Sequence, residues 1–149
     1  MIPMRAPSDS PGKAPSMETS PRLRVLLIED CPDLAEVTAE FLSGEGLDVR
    51  TALTGREALD VAPLFLPQLV LCDLNLPDMT GLEVVRALRS SPATARSCLV
   101  ILTAMQRPTL TQHEPEQADI DAFIPKPITI ETIGKLMARA GQRGRNTDR

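Results

Sequence analysis

Short strand-like segments alternate along this chain with segments in which apolar residues recur every three or four positions. The predicted strands, in chain order, are Leu23–Glu29, Leu47–Ala52, Gln68–Asp73, Cys98–Thr103 and Ile120–Ile124. Runs of branched apolar residues are typical of strands buried on both faces, which occur mainly in parallel sheets. Parallel strands need crossover connections, and the helical segments supply them. The sequence therefore predicts an α/β fold, a five-stranded, doubly wound parallel sheet with helices on both faces.

The helical segments carry caps, apolar stripes and helix breakers. Asp33, Thr54 and Thr129 are predicted to cap the first, second and last helices. The stripes predicted to face the core in the first, third and last helices are Leu34, Val37, Phe41 and Leu42; Leu82, Val84, Val85 and Leu88; and Ile130, Ile133, Leu136 and Met137. Pro63 is predicted to shorten the second helix, and Pro108 and Pro115 leave room for only a short helix between strands four and five.

The two ends of the chain differ in composition from the part between them. Residues 1–21 are rich in Pro and Ser and bury too little apolar surface to fold, so they are predicted to form a disordered leader. Residues 22–141 are predicted to form a single domain, and residues 142–149 a short flexible tail. Neither end is large enough for an output domain, so we expect the output to lie in a partner protein.

Composition excludes several classes of protein. The formal net charge of −4 argues against direct nucleic-acid binding, which needs a basic face. The chain shows no secretory signal and no apolar stretch long enough to span a membrane. Its three cysteines have no metal-ligand spacing and suit a reducing compartment, so a cytoplasmic location is predicted.

Polar residues stand where the predicted strands end. They are Glu29 and Asp30 after strand one, Asp73 after strand three, Thr103 after strand four and Lys126 after strand five. Open parallel sheets place their sites at the carboxyl ends of the strands. Three carboxylates meeting there would repel each other unless a cation joined them, and Mg²⁺ prefers such ligands. A carboxylate can attack phosphorus to form an acyl phosphate, while a lysine neutralises charge on the phosphoryl oxygens.

Each of these residues, and Phe123 three positions before Lys126, also has an ordinary interpretation. Glu29 and Asp30 suit a solvated strand end or a cap of the first helix, Asp73 suits a turn, and Phe123 suits a core aromatic position. Thr103 and Lys126 carry no functional signal when each is taken alone. Only their joint placement at strand ends favours the functional interpretation.

Four segments resemble the motifs of response-regulator receiver domains of two-component signalling. They are VLLIEDCPD, LVLCDLNLPDMTGLEVV, VILTA and FIPKPI, in the order typical of that family. The resemblance covers Leu23 to Ala140 and implies a flavodoxin-like (βα)5 fold. It also implies a signalling phosphoacceptor that catalyses only its own phosphorylation and dephosphorylation, rather than an enzyme acting on other substrates.

The resemblance implies a role for each site residue. Asp73 corresponds to the phosphoacceptor, which takes a phosphoryl group from a histidine kinase or a histidine phosphotransfer protein. Asp30 and Asp73 would bind Mg²⁺ directly, Glu29 through water, and Asn75 through its backbone carbonyl. The family usually has Asp where this chain has Glu29.

The resemblance also implies a conformational switch and a phosphoryl contact. Lys126 would pair with Asp73 and then with the phosphoryl oxygens, and a cis bond to Pro127 would direct it inward. Thr103 would bind the phosphoryl group, and Phe123 would act as the switch aromatic in place of the more common Tyr. The phosphorylated state would alter a contact with a downstream protein.

Two alternatives remain open at this point. One is a receiver-like binding module that never takes up phosphate. The other is a phosphohydrolase with an Asp nucleophile, which needs a general acid two residues after the nucleophile; this chain has Asn75 there.

Overall fold

The computed structural model describes residues 22–104 and 120–147, with side chains described as far as residue 141. The predicted leader, the predicted short helix near Pro108 and Pro115, and the last two residues lie outside the described part of the chain. The strands are β1 (Arg24–Ile28), β2 (Asp48–Ala52), β3 (Leu69–Asp73), β4 (Cys98–Thr103) and β5 (Ala122–Pro125). The helices in the described residues are α1 (Pro32–Gly44), α2 (Gly55–Phe65), α3 (Gly81–Ser90) and α4 (Ile130–Thr147).

The five strands form one parallel sheet in the order β2-β1-β3-β4-β5. The order reverses beside β1, which is the topological switch point of a doubly wound sheet. At the carboxyl edge, Ile28 of β1 lies opposite Cys72 of β3, and Thr103 of β4 lies opposite Pro125 of β5. The predicted fold is confirmed, and the residues that follow these strands are brought to one edge of the sheet.

Alternate residues of the central strands bury into two separate core layers, one on each face of the sheet. The layer under α1 and α4 includes Val25, Leu27, Leu42, Leu71, Val100, Ile133 and Leu136. The layer under α2 and α3 includes Leu26, Ile28, Ala58, Ala62, Val84, Val85 and Ile101. Since a fully buried branched side chain contributes about 1.5–3 kcal/mol, both faces hold the central strands firmly in register.

Helix α1 begins earlier than the sequence predicts. Cys31 is its N-cap residue and makes no side-chain capping bond, while Asp33 lies inside the first turn, so the prediction that Asp33 caps this helix is wrong. Pro32 explains the difference, because proline is preorganised for the first helical position and needs no hydrogen-bond acceptor there.

Parts of two predicted core stripes are exposed. Leu34 and Val37 of α1 are 40% and 62% exposed, and Ile130 at the start of α4 is 61% exposed. Leu42 of α1 is fully buried and Phe41 is half-buried. In α1 the buried positions are Ala35 and Leu42 rather than Leu34 and Val37, and in α4 burial begins at Ile133.

Helix α2 continues through Pro63 to Phe65, so the prediction that Pro63 shortens it is wrong. A proline so close to the C-terminus removes one helical hydrogen bond without disturbing the rest of the helix. Leu66 is the C-cap residue that follows the helix; it has a left-handed φ of 55° and donates its N–H to the Ala62 carbonyl. The predicted Thr54 cap is confirmed by a 3.0 Å bond from the Glu57 N–H to Thr54 Oγ1.

The last helix has the predicted start. Thr129 Oγ1 accepts the Thr132 N–H at 3.2 Å, which confirms Thr129 as its cap. The helix then runs to Thr147, past residue 141, where the sequence places the end of the domain. No helix within the described ranges combines the length and the hydropathy needed to cross a bilayer.

Candidate functional site

The backbone brings the strand-end residues together at the carboxyl edge of the sheet. The Glu29 N–H bonds to the Ala52 carbonyl at 3.0 Å, which extends the β1–β2 ladder by one residue. At the same edge, beside β4 and β5, the Lys126 N–H bonds to the Thr103 carbonyl at 2.9 Å. Lys126 is thus fixed beside the end of β4, and its side chain can reach across the carboxyl edge toward β1 and β3.

Three carboxylates converge at this edge. Glu29, Asp30 and Asp73 each offer one oxygen, and these oxygens lie within 4.8 Å of one another, the one such acidic group among the described residues. Glu29 is 4% exposed and Asp73 9% exposed, whereas Asp30 faces solvent. Buried carboxylates are costly without compensating charge, so the cluster requires a cation.

Lys126 supplies part of that compensation. Its Nζ lies 3.1 Å from Glu29 Oε1 and 3.4 Å from Asp73 Oδ2. Burial alone would lower the pKa of Lys126, but the hydrogen bonds and charges of the two carboxylates outweigh burial, and the pKa is raised above its usual value. The ammonium therefore remains charged at neutral pH, as an electrostatic contact for phosphate requires.

The direct contact between Glu29 and Lys126 is a feature that the sequence analysis missed. The resemblance assigns Glu29 only to a water-mediated metal contact, yet it is the nearer of the two carboxylates to Lys126. Its second oxygen accepts the Cys31 N–H at 3.3 Å, which orients the carboxylate. A signal for the contact is present in the sequence, since Glu is one methylene longer than the usual Asp and reaches further.

Asp73 lies in a tightly packed position at the end of β3. The Asn75 N–H donates to Asp73 Oδ1 at 3.4 Å, so one carboxylate oxygen faces the following loop while the other faces Lys126. A Cβ atom at Gly81 would stand 2.5 Å from the Asp73 carbonyl oxygen, so α3 can begin this close only with glycine. Burial, aided by the charges of Asp73 and Glu29, raises the pKa of the Cys72 thiol, which stays neutral.

The two residues expected to form a switch lie on neighbouring strands. Thr103 ends β4 and is 2% exposed. Phe123 lies on β5 opposite Ile101, two residues before the Thr103–Pro125 pair, and packs half-buried against the α2–α3 side of the core. The peptide bond between Lys126 and Pro127 is cis, as the resemblance implies.

Fold and site together define a doubly wound α/β domain with an acidic, lysine-containing crevice at the carboxyl edge of its sheet. A sequence model of the response regulator receiver domain matches residues 25–138, and the chain belongs to this family. Receiver domains are signalling modules of two-component systems, so the predicted family and broad class are confirmed.

Relatives and solved structures agree with this assignment. The chain is 34% identical over 119 residues to the DNA-binding response regulator MtrA of Mycolicibacterium smegmatis, covering 79% of this chain and 50% of MtrA. It is 41% identical over 83 residues to the cell cycle response regulator CtrA of Brucella ovis, covering 56% of this chain and 35% of CtrA. The structure of the chemotaxis response regulator CheY4 of Vibrio cholerae aligns with a TM-score of 0.69 and 29% identity, covering 80% of this chain and 99% of CheY4. The chain thus spans half or less of the length of these two curated relatives.

Proposed function

We propose that this chain is the phosphoacceptor of a two-component phosphorelay and that Asp73 takes the phosphoryl group from a phosphohistidine. The donor is a sensor histidine kinase or a histidine phosphotransfer protein. The observation that carries the proposal is the position of Asp73, whose carboxylate lies 3.4 Å from Lys126 Nζ inside an acidic cluster at the switch point of the sheet.

The chemistry follows from this arrangement. One Asp73 carboxylate oxygen attacks phosphorus, the P–N bond of the phosphohistidine breaks, and the histidine leaves with the bonding electron pair. The product is an acyl phosphate on Asp73. Because charge spreads over the equatorial phosphoryl oxygens during transfer, the Lys126 ammonium beside Asp73 stabilises both transition state and product.

The donor set also suits Mg²⁺. Carboxylate and carbonyl oxygens are the ligands this ion prefers, and the three carboxylates exceed the single ammonium that the described residues place among them. Asp30 and Asp73 would hold the ion directly, Glu29 through water, and Asn75 through its carbonyl oxygen. A bound Mg²⁺ would neutralise charge on the acidic cluster and on the phosphoryl group.

Phosphorylation would change a contact with a partner protein. The new charge on Asp73 attracts the Thr103 hydroxyl at the end of β4, and this shift opens space for Phe123 on the neighbouring strand to turn inward. Such a local charge change biases a two-state element, which the partner then recognises. We propose that this occurs in the cytoplasm through protein contacts of the domain that spans residues 22–141.

Asp73→Asn tests the proposal. The amide is a far weaker nucleophile than the carboxylate, so the variant should take up no label from acetyl phosphate in the presence of Mg²⁺, whereas the wild type should be labelled. Intact-mass measurement reads the result. Asp60→Asn, the same exchange at an exposed position on α2, is the matched control and should be labelled like the wild type.

Each alternative predicts a different result. Labelling of the Asp73→Asn variant at the wild-type level would place the acceptor elsewhere. A folded wild type that takes no label from acetyl phosphate or from phosphorylated kinases would favour a phosphorylation-independent binding module. Rapid multiple turnover of phosphate esters would instead favour the Asp-nucleophile phosphohydrolase.

A further inference from the structure

The β3–α3 loop, residues 74–80, carries the Asn75 carbonyl and is closed on itself at its base. The Gly81 N–H bonds to the Leu74 carbonyl at 2.7 Å, and Asn75 and Thr80 form an antiparallel bridge. Thr80 also caps α3 in a reciprocal pair with Glu83. The base of the loop is therefore anchored to β3 and α3, and residues 76–79 form a turn beyond it.

The turn is held by a different element. Asp78 accepts two backbone hydrogen bonds from the start of α2, from the Gly55 N–H to Oδ1 at 2.9 Å and from the Arg56 N–H to Oδ2 at 2.8 Å. These N–H groups have no acceptor within their own helix, and the helix N-terminus favours a negative charge. Accordingly, the two N–H groups hold the pKa of the Asp78 carboxyl below its usual range.

Packing supports the same contact. A Cβ atom at Gly55 would clash with the Met79 side chain, so the loop lies directly against the first residue of α2. Thr54, the N-cap residue of α2, accepts a separate hydrogen bond from the Glu57 N–H at 3.0 Å. The start of α2 therefore has two independent stabilising contacts, one local and one from the loop.

We propose that Asp78 is a positioning residue for the metal site, acting through the backbone of the β3–α3 loop. The Asn75 carbonyl belongs to the peptide that joins the anchored base to Leu76, the first residue of the turn. While the turn is clamped to α2, this peptide is held in one orientation; loss of the clamp lets it rotate, and the carbonyl then spends less time where it can act as a ligand. This inference rests on the proposed Mg²⁺-dependent function and extends it to a residue outside the acidic cluster.

Mg²⁺ affinity measured by calorimetric titration, without any phosphoryl donor, tests the proposal. Asp78→Ala should weaken Mg²⁺ binding about tenfold, the scale seen when a group that orients a metal ligand is removed. Asp78→Asn keeps one acceptor oxygen and nearly the same volume, so its affinity should lie between those of Asp78→Ala and the wild type. In parallel, amide hydrogen exchange at Gly55 and Arg56 should accelerate in Asp78→Ala.

Thr54→Ala is the matched control, since it removes a cap from the same helix end but leaves the loop contact intact. It should lower the urea concentration at the midpoint of unfolding and leave Mg²⁺ affinity within twofold of the wild type. Should Asp78→Ala fail to fold, the intermediate affinity of Asp78→Asn carries the test.

Three results would overturn the inference. Suppose that the wild type binds Mg²⁺ and takes label on Asp73. Unchanged Mg²⁺ affinity in both Asp78 variants would then contradict the role of Asp78 while leaving the proposed function intact. An equal loss of affinity in Thr54→Ala would show that α2 stability matters rather than the loop clamp. A folded wild type that binds no Mg²⁺ would overturn the inference together with the metal-dependent part of the proposed function.

Discussion

One ion pair lies near the amino ends of the sheet's strands and another near their carboxyl ends, and the two have different surroundings. At the amino end, Arg89 of α3 pairs with Asp121 at 3.1 Å just before β5. The guanidinium also donates to the Ala95 and Ser97 carbonyls, and Asp121 Oδ2 accepts the Leu99 N–H at 2.7 Å. Here a cation faces a carboxylate, and both have further hydrogen-bond partners.

At the carboxyl end, Lys126 meets Glu29 and Asp73, with Asp30 close by. Within the described part of the chain, negative charge exceeds positive charge in this cluster, and one of its carboxylates faces solvent. The amino-end pair is compensated and joins three segments of backbone. The carboxyl-end cluster is left short of positive charge, which is what a site needs if it is to take up a cation and then change its charge.

Arg89→Ala should have the largest effect on stability and little effect at the site. It takes the guanidinium away from the partly buried Asp121, and breaking such a pair costs about 3 kcal/mol. Urea unfolding measures the loss, and Mg²⁺ affinity of the folded variant should remain within twofold of the wild type. Arg56→Ala, which removes an exposed pair at 3.9 Å, should cost less than about 0.5 kcal/mol. Equal costs for the two variants would remove the contrast between a structural pair and a surface pair.

Asp30→Asn should change stability in the opposite direction. It removes one of the three crowded carboxylates, so the metal-free protein should gain about 1 kcal/mol in its free energy of unfolding. The same variant should lose most of the stabilisation that Mg²⁺ gives the wild type, which thermal unfolding in EDTA and in excess Mg²⁺ would reveal.

Asp33→Asn provides the control for this charge change. Asp33 lies in the first turn of α1, where a carboxylate favours the helix dipole, so its loss should lower stability slightly. If Asp30→Asn destabilised the metal-free protein as Asp33→Asn does, the carboxyl-end cluster would not be short of positive charge.

At alkaline pH the stabilising contribution of Lys126 should fall while that of Arg89 stays constant, and this change should be smaller than the effects of the substitutions above. The folded-state pKa of Lys126 is raised above 10.5, so its stabilising contribution is complete below that pH and is lost as pH rises through the folded value. The difference in unfolding free energy between wild type and Lys126→Met should therefore shrink above about pH 10.5, by less than about 1 kcal/mol for this partly exposed group. Arg89 stays charged throughout, so the corresponding difference for Arg89→Ala should remain flat over the same range.

The alternation of strand-like and helical segments is sufficient to predict the sheet, because parallel strands covered on both faces leave a continuous apolar pattern. All five strands lie where the sequence predicts them, although β5 begins at Ala122 rather than Ile120. The errors lie in the helices: one cap, one helix end, and the burial of Leu34, Val37 and Ile130. Asp33 does not cap α1, because Pro32 already starts the helix. Pro63 does not end α2, because a proline so near the C-terminus removes only one helical hydrogen bond.

The candidate site likewise combines residues that the sequence predicts with contacts that only the fold reveals. Asp73, Lys126 and the other strand-end residues can be predicted because the end of a parallel strand is visible in sequence, and because such ends meet at one edge. Glu29 in place of the usual Asp is a sequence signal for a longer reach, but it does not say that the residue reached is Lys126, 97 positions further along the chain. The clamp from Asp78 to Gly55 is also invisible there, since a turn aspartate shows its acceptor role only when the fold brings a helix start to it.

The sequence by itself determined the class of fold, the order of its elements and the set of charged groups at one edge, since these depend on local periodicity and on where strands stop. Only the tertiary structure decided which carboxylate holds Lys126 and which helix holds the β3–α3 loop. It also decided which apolar residues stay exposed. Those outcomes depend on distances between segments far apart in the chain, and packing of the two core layers against the sheet sets these distances.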